Sequence, residues 1–330
     1  MDGPLEGTIV LIVKSIVIFA VFIQIVPLIL LGERKLLGRF QSRIGPNRVG
    51  PKGLMQPIAD VLKLLSKEQF TPATAVPWMM AIAPVISVTT AIATIAIIPF
   101  GPYDVWGGGF GLYGIDVSIG LLYFFAFGSL AFYGLVLGGW SSGSKYSFLG
   151  AMRAAAQLIS YEVALGLSLL GVAMTAGSMS LVDIVEHQDG VWFIVPQFVG
   201  FCIFLVAGFA ETARAPFDLP EGDAEIVGGY NTEFGGMRFG SFFMAEYMEI
   251  LIISGIGAAC FLGGWHGPGP EELAPLWMLL KIILGAVLFI WVRASVPRLR
   301  YDQLMSFGWK VLLPLATLNV LVTAIVLVAT

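Results

Sequence analysis

Four glutamates stand where a carboxylate is expensive. Glu162 lies in the middle of an apolar run, Ala156-Gln-Leu-Ile-Ser-Tyr-Glu-Val, Glu246 and Glu249 sit one turn apart in a second run, and Glu211 closes a third. An ionisable group at membrane depth is costly unless paired or wetted, and such groups mark ion and proton paths. The plainer explanation is a packing role, with each acid held neutral or paired to a lysine. Arg153 is not the partner of Glu162, because nine residues of helix separate them by about 13 Å. Beyond Glu211 the chain gathers more carboxylates at Asp218, Glu221, Asp223, Glu225 and Glu233, against Arg214 and Arg238 alone. A solvated acidic loop is the ordinary reading of such a run. Here it is interleaved with Phe217, Ile226, Val227 and Phe234 and with paired glycines, so it can pack. Closely spaced, partly buried carboxylates raise one another's pKa toward neutrality, which suits them to take up and release protons. Arg293, Arg298 and Arg300, with Asp302, form a second cluster able to supply counter-charge.

Other chemistries are excluded by residue supply. The two cysteines, Cys202 and Cys260, are far apart in apolar runs, and the two histidines, His187 and His266, sit in separate polar loops. No zinc, haem or iron-sulfur ligand set follows from them. Gly109-Phe-Gly-Leu-Tyr-Gly114 fits G-x-G-x-x-G, but it lacks the strand before it and the acid about 20 residues after it that a dinucleotide site needs.

These residues have to be positioned by membrane helices. The 330 residues are 57% apolar and 12% charged, with a mean hydropathy of +0.87, against about 25% charged in soluble domains. Apolar runs long enough to span fall near 8–31, 75–98, 115–138, 148–175, 191–211, 240–263, 275–295 and 306–329. The expected fold is all-α, a single polytopic membrane domain over 1–330 with about eight spans. Of the 18 basic residues, all but Lys14 and Lys281 fall at alternate loops or the span ends beside them, which places those loops inside and both termini outside. From Pro57, residues Ile58, Val61, Leu62 and Leu65 form one face and Asp60, Lys63 and Lys67 the other. That segment is too short to span and is expected as an amphipathic helix along the membrane surface, either packed plainly on the bundle or lining a ligand site. Gly134-x-x-x-Gly138 reads as a close helix contact.

The basic loops resemble those of one family. Gly32-Glu-Arg-Lys, Arg43-Ile-Gly-Pro-Asn-Arg-Val-Gly-Pro with Gln56-Pro-Ile-Ala-Asp, Gly139-Trp-Ser-Ser-Gly-Ser-Lys-Tyr, Ala154-Ala-Ala-Gln-Leu-Ile-Ser-Tyr-Glu, Ala210-Glu-Thr-Ala-Arg-Ala-Pro-Phe-Asp-Leu-Pro-Glu-Gly and Arg293-Ala-Ser-Val-Pro-Arg-Leu-Arg-Tyr-Asp-Gln-Leu-Met are similar, in order, to the H subunit in the membrane arm of proton-pumping NADH:quinone oxidoreductase. This is respiratory complex I, and the family is called NADH dehydrogenase subunit 1 in mitochondria. The resemblance implies a translocase subunit, not catalytic alone, that helps form the quinone chamber and couples quinone reduction to proton translocation. It implies Arg34, Lys35, Arg43, Asp60, Lys63, Phe242, Arg293, Arg298 and Arg300 at the chamber. The coupling acids it implies are Glu162, Glu211, Asp218, Glu221, Asp223, Glu225, Glu233 and Glu246. Asp223 stands where many members have Glu, and the third span carries no acid deeper than Asp116.

By the same resemblance this chain binds no cofactor and takes quinone as substrate, while NADH, FMN and iron-sulfur clusters belong to partner subunits. The implied partners are the iron-sulfur and quinone-site subunits of the peripheral arm, neighbouring small membrane subunits and lipid, with no nucleic acid. The compartment expected is a bacterial inner membrane, with the mitochondrial inner membrane as second choice. Two rivals remain: a stand-alone proton or ion transporter, which would work in liposomes as an isolated chain, and the matching subunit of a membrane-bound hydrogenase. The match of the first basic loop and of the helix from Pro57 favours the quinone enzyme.

Overall fold

A computed structural model describes residues 4–103, 111–220 and 222–329, with side chains throughout except at 4–15, 17–19, 22, 223 and 224. The described regular structure is helical apart from one isolated bridge between Tyr103 and Gly111. In chain order the helices are α1 (Pro4–Phe40), α2 (Gln56–Ser66), α3 (Pro77–Ile95), α4 (Gly120–Ser141), α5 (Lys145–Ala176), α6 (Leu181–Glu186), α7 (Phe198–Glu211), α8 (Asp223–Ile226), α9 (Gly236–Phe261), α10 (Ala274–Ser295), α11 (Tyr301–Phe307) and α12 (Leu313–Ala329). A π-helical stretch, Gly308–Leu312, joins α11 to α12. Six segments among the described residues are long and apolar enough to cross a membrane: α3, α4, α5, α9, α10 with its leading turn, and α11 continued into α12.

Two elements differ from the hydropathy reading. The first span runs on to Phe40, so Glu33, Arg34 and Lys35 are helical, because their charges find partners at that end of the bundle. The fifth span, expected from residue 191, becomes helical only at Phe198, and α7 has 14 residues. Residues 193–197 form turns, where Pro196 has no N–H to donate. The fully buried Gln188 supplies what those turns need. Its Nε2 donates to the carbonyls of Ile184 (3.0 Å) and Ala259 (2.7 Å), and its Oε1 accepts from the N–H groups of Phe193 (3.2 Å) and Gly263 (3.0 Å).

The centre of the bundle is α9, whose apolar stretch is 83% buried, whereas that of α11 and α12 is 17% buried and faces outward. Lipid tails are as apolar as leucine, so helices here associate through close packing of small residues. Along α9 a Cβ on Gly255 would meet Ile98 at 2.9 Å and one on Gly257 would meet Phe204 at 2.8 Å. The surface helix α2 docks on α9 in the same way, with Leu64 lying 3.0 Å from where a Gly240 Cβ would be. Ile58, Val61, Leu62 and Leu65 remain exposed on its other side, an apolar stripe suited to the interface of a bilayer.

Substituting Gln188→Ala strands two N–H donors and two carbonyls, each costing ~1–3 kcal/mol when water does not replace the partner. The purified protein in detergent is therefore expected to lose ~4 kcal/mol or more of stability, seen as a lower Tm. An unchanged Tm would remove Gln188 as the support of the α6–α7 connection.

Candidate functional site

At the end of the bundle that carries the basic loops, the chain after α1 folds back on its own helix. Gly45 makes this approach feasible, since a Cβ there would lie 2.9 Å from the Lys35 Cα and 3.1 Å from the Arg34 carbonyl oxygen. Lys35 Nζ then donates to the Lys52 carbonyl at 2.6 Å and pins the loop. Asp60 on α2 collects three neighbours: Arg34 Nη1 at 2.6 Å, Gln56 Nε2 at 3.2 Å and Lys63 Nζ at 3.6 Å. Arg43 is exposed and donates to Gln41 at 2.7 Å. Between α1, α2 and α9 lies an apolar cavity of about 130 Å³, walled by residues such as Leu30, Leu64, Phe243 and Met244, with Asp60, Ser241 and Tyr247 as polar members of the wall.

Behind that cavity sits a buried ion cluster. Glu33 is 4% exposed and accepts hydrogen bonds from Tyr247 Oη and Arg293 Nη1, while Arg214 Nη1 lies 4.0 Å away. Arg214, 5% exposed, forms an ion pair with Glu246, its Nε lying 2.6 Å from Glu246 Oε1. Its guanidinium also stands 4.4 Å from the centre of the Tyr247 ring, a cation–π contact that favours the charge in a site with little water. Glu33, Arg214, Tyr247, Glu246 and Arg293 thus form one cluster drawn from α1, the loop after α7, α9 and α10. In a medium of low polarity a buried charge is tolerated only when its counter-charges and hydrogen bonds are complete, which accounts for this density of contacts.

Deeper in the bundle the remaining acids follow. Glu162 Oε1 accepts from Ser129 on α4 at 2.6 Å, so the third span, which has no acid at that depth, answers with a hydroxyl. Glu211 lies nearby, its Oε1 4.0 Å from where a Cβ on the adjacent Gly128 would be. Gln157, fully buried on α5, donates from one amide nitrogen to the carbonyls of Ala210 (2.6 Å) and Phe217 (2.7 Å), fixing the end of α7 and the start of the acidic loop. Glu211 and Glu249 line a cavity of about 40 Å³, and both line another of about 20 Å³ together with Ser87, Glu246 and Phe242. Phe242 packs edge-on against Tyr230 and Phe234 on that side, and it is Phe243 that faces the larger apolar cavity.

The acidic loop covers this arrangement. Glu225 pairs with Arg153 of α5, whereas Asp218 and Glu233 are half-buried. Glu221 and the side chain of Asp223 lie outside the described residues. The segment after α10 ties down the loop through a hydrogen bond from Leu299 N to Pro216 O at 3.1 Å. Arg298 Nη2 occupies the space a Cβ on Gly222 would need, at 2.7 Å, and Gly222 has the positive φ of +35° that glycine tolerates. Arg300 is exposed and pairs with Asp302 at 2.7 Å, apart from the cluster around Glu33. Among the described residues no group of three or more His, Cys, Asp or Glu is placed to hold a metal ion.

Comparison with known proteins settles the lineage. The family model described as NADH dehydrogenase matches residues 13–324. The chain belongs to the NADH dehydrogenase family. Within it, the chain is 51% identical over 316 residues to an H subunit of NADH-quinone oxidoreductase from Geobacter sulfurreducens, covering 95% of each. The corresponding protein of Geobacter metallireducens is 50% identical over 315 residues, again with 95% of each covered. That of Syntrophobacter fumaroxidans is 50% identical over 319 residues, covering 96% of each. The resemblance read from the basic loops is therefore a family relationship along nearly the whole chain.

For a member of this family the sequence reading left out several residues that the fold brings to the centre. Glu33 lies among Arg34 and Lys35 and looks like part of a solvated charged stretch. Tyr247 and Ser129 carry no charge to mark them, although Glu249 had the same signal as Glu246. Removing the Glu33 charge by Glu33→Gln leaves Arg293 and Arg214 short of a counter-charge, at a cost of ~3–5 kcal/mol. Tyr247→Phe deletes one hydrogen bond at a cost of ~1.5–3 kcal/mol. Thermal denaturation of the solubilised protein is expected to rank Glu33→Gln well below Tyr247→Phe. Equal stability of the two would show that the cluster does not hold these helices together.

Proposed function

We propose that this chain is the subunit of a bacterial respiratory complex I that walls the quinone chamber and passes the effect of quinone reduction to proton translocation through its buried carboxylates. The observation that carries this reading is the double position of Tyr247. It lines the 130 Å³ apolar cavity, and its hydroxyl donates to Glu33 in the ion cluster. One side chain therefore joins the place suited to a lipid-borne ring with the first of the buried acids.

The cavity has the composition a quinone requires. Apolar walls from α1, α2 and α9 suit part of a quinone, such as its ring, and the exposed apolar stripe of α2 supports an approach from the membrane surface. Asp60, held by Arg34 and Lys63, and Tyr247 offer the few polar groups that orient a carbonyl-bearing ligand. Reduction of a quinone to a quinol consumes two electrons and two protons. The electrons come from partner subunits, which hold FMN and iron-sulfur clusters and oxidise NADH. The residues of this chain bind and orient the ring, exclude water and respond to the change in charge. Because charges interact strongly where the dielectric is low, a proton or electron added at the cavity is felt through Glu33 and Arg214 at Glu246 and beyond. Glu211, Glu162 and the carboxylates of the loop, Asp218, Glu221, Asp223, Glu225 and Glu233, continue that row.

The rest of the placement follows from charge. Residues 1–330 form one membrane domain with the basic end toward the cytoplasm and both termini toward the periplasm. Exposed Arg39, Arg43, Arg48, Lys52, Lys63 and Lys67 on the first basic loop face the peripheral-arm subunits, and the outward faces of the spans meet lipid and small membrane subunits. The resident compartment is the bacterial inner membrane.

The test is Glu162→Gln in the assembled complex reconstituted in liposomes, with proton uptake and NADH-driven quinone reduction measured together. Proton translocation is expected to fall about tenfold or more. Full activity with a normal proton yield would take Glu162 out of the path. Independently, Asp60→Asn is expected to raise the quinone KM by about tenfold, a loss of ~1.4 kcal/mol of binding, with electron transfer to a water-soluble acceptor unchanged. An unaltered KM would remove Asp60 from the chamber.

A further inference from the structure

The acids of the row are not held alike. Glu33 and Glu246 are fixed by arginines, and Glu225 by Arg153. Among the described residues no cation forms a salt bridge with Glu211 or Glu249, and both are half-buried beside the same two cavities. The smaller cavity, about 20 Å³, has room for one water, and the larger, about 40 Å³, for two or more, given a need of ~10–15 Å³ each.

A water is stable inside a protein only with two to four polar partners, and here they are present. On α3, Thr90 spends its hydroxyl on the carbonyls of Ile86 and Ser87, and Thr94 spends its own on Thr90. Ser87 does not follow them. It is 3% exposed, its Oγ has no hydrogen-bond partner, and it lines the smaller cavity with Glu211, Glu246 and Glu249. The space for that hydroxyl exists because position 134 on α4 is glycine, where a Cβ would fall 2.2 Å from it. Glu211 Oε2 is likewise buried with no partner. An unsatisfied buried hydroxyl costs ~1–3 kcal/mol, so both atoms point to an occupant able to donate and accept.

We propose that Ser87, Glu211 and Glu249 hold buried water that forms a proton relay between the two glutamates, running beside the arginine-locked Glu246 and not through it. This deepens the coupling reading above and rests on it. In the step itself the protonated Glu249 carboxyl gives its proton to the water, and the water gives one to the Glu211 carboxylate. Glu249 ends ionised, Glu211 ends neutral, and the water is regenerated. Ser87 is a positioning residue that holds the water through its hydroxyl. Glu249 takes the proton-carrying place because it borders both cavities, whereas Glu246 borders only one and is bound to Arg214.

The experiment compares Glu249→Gln, Glu249→Asp, Ser87→Ala and Glu162→Gln in the assembled, reconstituted complex. Proton yield per quinone is measured, together with infrared difference spectra of the protonated-carboxyl band on quinone reduction. Glu249→Gln is expected to cut proton translocation about tenfold or more and to remove a carboxyl component from the spectrum. Glu249→Asp restores most of both. Ser87→Ala lowers translocation about threefold and shifts the same carboxyl band, a spectral change that a packing role would not give. Should Glu249→Gln fail to assemble, Ser87→Ala, which removes one oxygen atom, decides the matter. Normal translocation and an unchanged band in the Ser87 and Glu249 variants, with Glu162→Gln impaired, would overturn this relay alone. Normal translocation in Glu162→Gln as well would overturn the coupling reading on which it rests.

Discussion

A carboxylate taken out of water has to be answered by charge and hydrogen bonds, and in this protein that requirement is concentrated on Glu33. It is met by Arg293 from α10, Tyr247 from α9 and, at 4.0 Å, Arg214 from the loop after α7. Four parts of the chain must come together to satisfy one side chain. Because helices in lipid gain nothing from excluding water from one another, such polar contacts, with the small residues of α9, decide how the bundle is assembled. The extension of α1 beyond its apolar stretch and the course of the chain after α7 bring Glu33 and Arg214 into that cluster.

The same cluster divides the molecule into two zones. On one side an apolar cavity of about 130 Å³ is bounded by the surface helix and carries Asp60 and Tyr247. On the other, cavities of about 40 and 20 Å³ lie among Glu211, Glu249 and Ser87. The first has the volume and polarity of a site for part of a lipid-like ligand, and the second pair has the volume of water. Arg214 links residues that border the two zones: it approaches Glu33, stacks on Tyr247 and pairs with Glu246. Rigid ion pairs at this boundary adjoin acids that line cavities beyond it, the arrangement on which the proposed coupling to proton translocation rests.

Much of this was legible in the sequence, and what was not has physical reasons. Apolar runs locate a helix at each expected span, since membrane helices must satisfy their backbone internally. The pattern from Pro57 gives α2 within a residue, because amphipathicity leaves a 3.6-residue period. Glu162 and Glu246 are conspicuous because acids are rare in apolar runs, and Glu246 proves to be bound by Arg214. Glu33 is inconspicuous for the opposite reason, being one charge among several at a span end. Its partners Tyr247 and Arg293 are 214 and 260 residues away in sequence, a separation no local pattern encodes. Ser129, Ser87 and Gln157 carry no charge, so only their placement shows what they do. The late start of α7 escaped the hydropathy reading because residues 193–197 are as apolar as a span, while their turns are held by the side chain of Gln188. Phe242 and Phe243 are neighbours in sequence on different faces of α9, and only the packing tells which of them faces the larger cavity.

The central claim is that the bridge from Glu33 through Arg214 to Glu246 connects quinone chemistry with the buried acids. It is tested most directly by the number of protons translocated per quinone reduced in liposomes containing the complex with Arg214→Lys. Lysine keeps the positive charge but presents a single ammonium that lacks the planar fork needed to serve both carboxylates. The account predicts that NADH-driven quinone reduction continues while the proton yield falls severalfold. A variant that reduces quinone with an unchanged proton yield would contradict it.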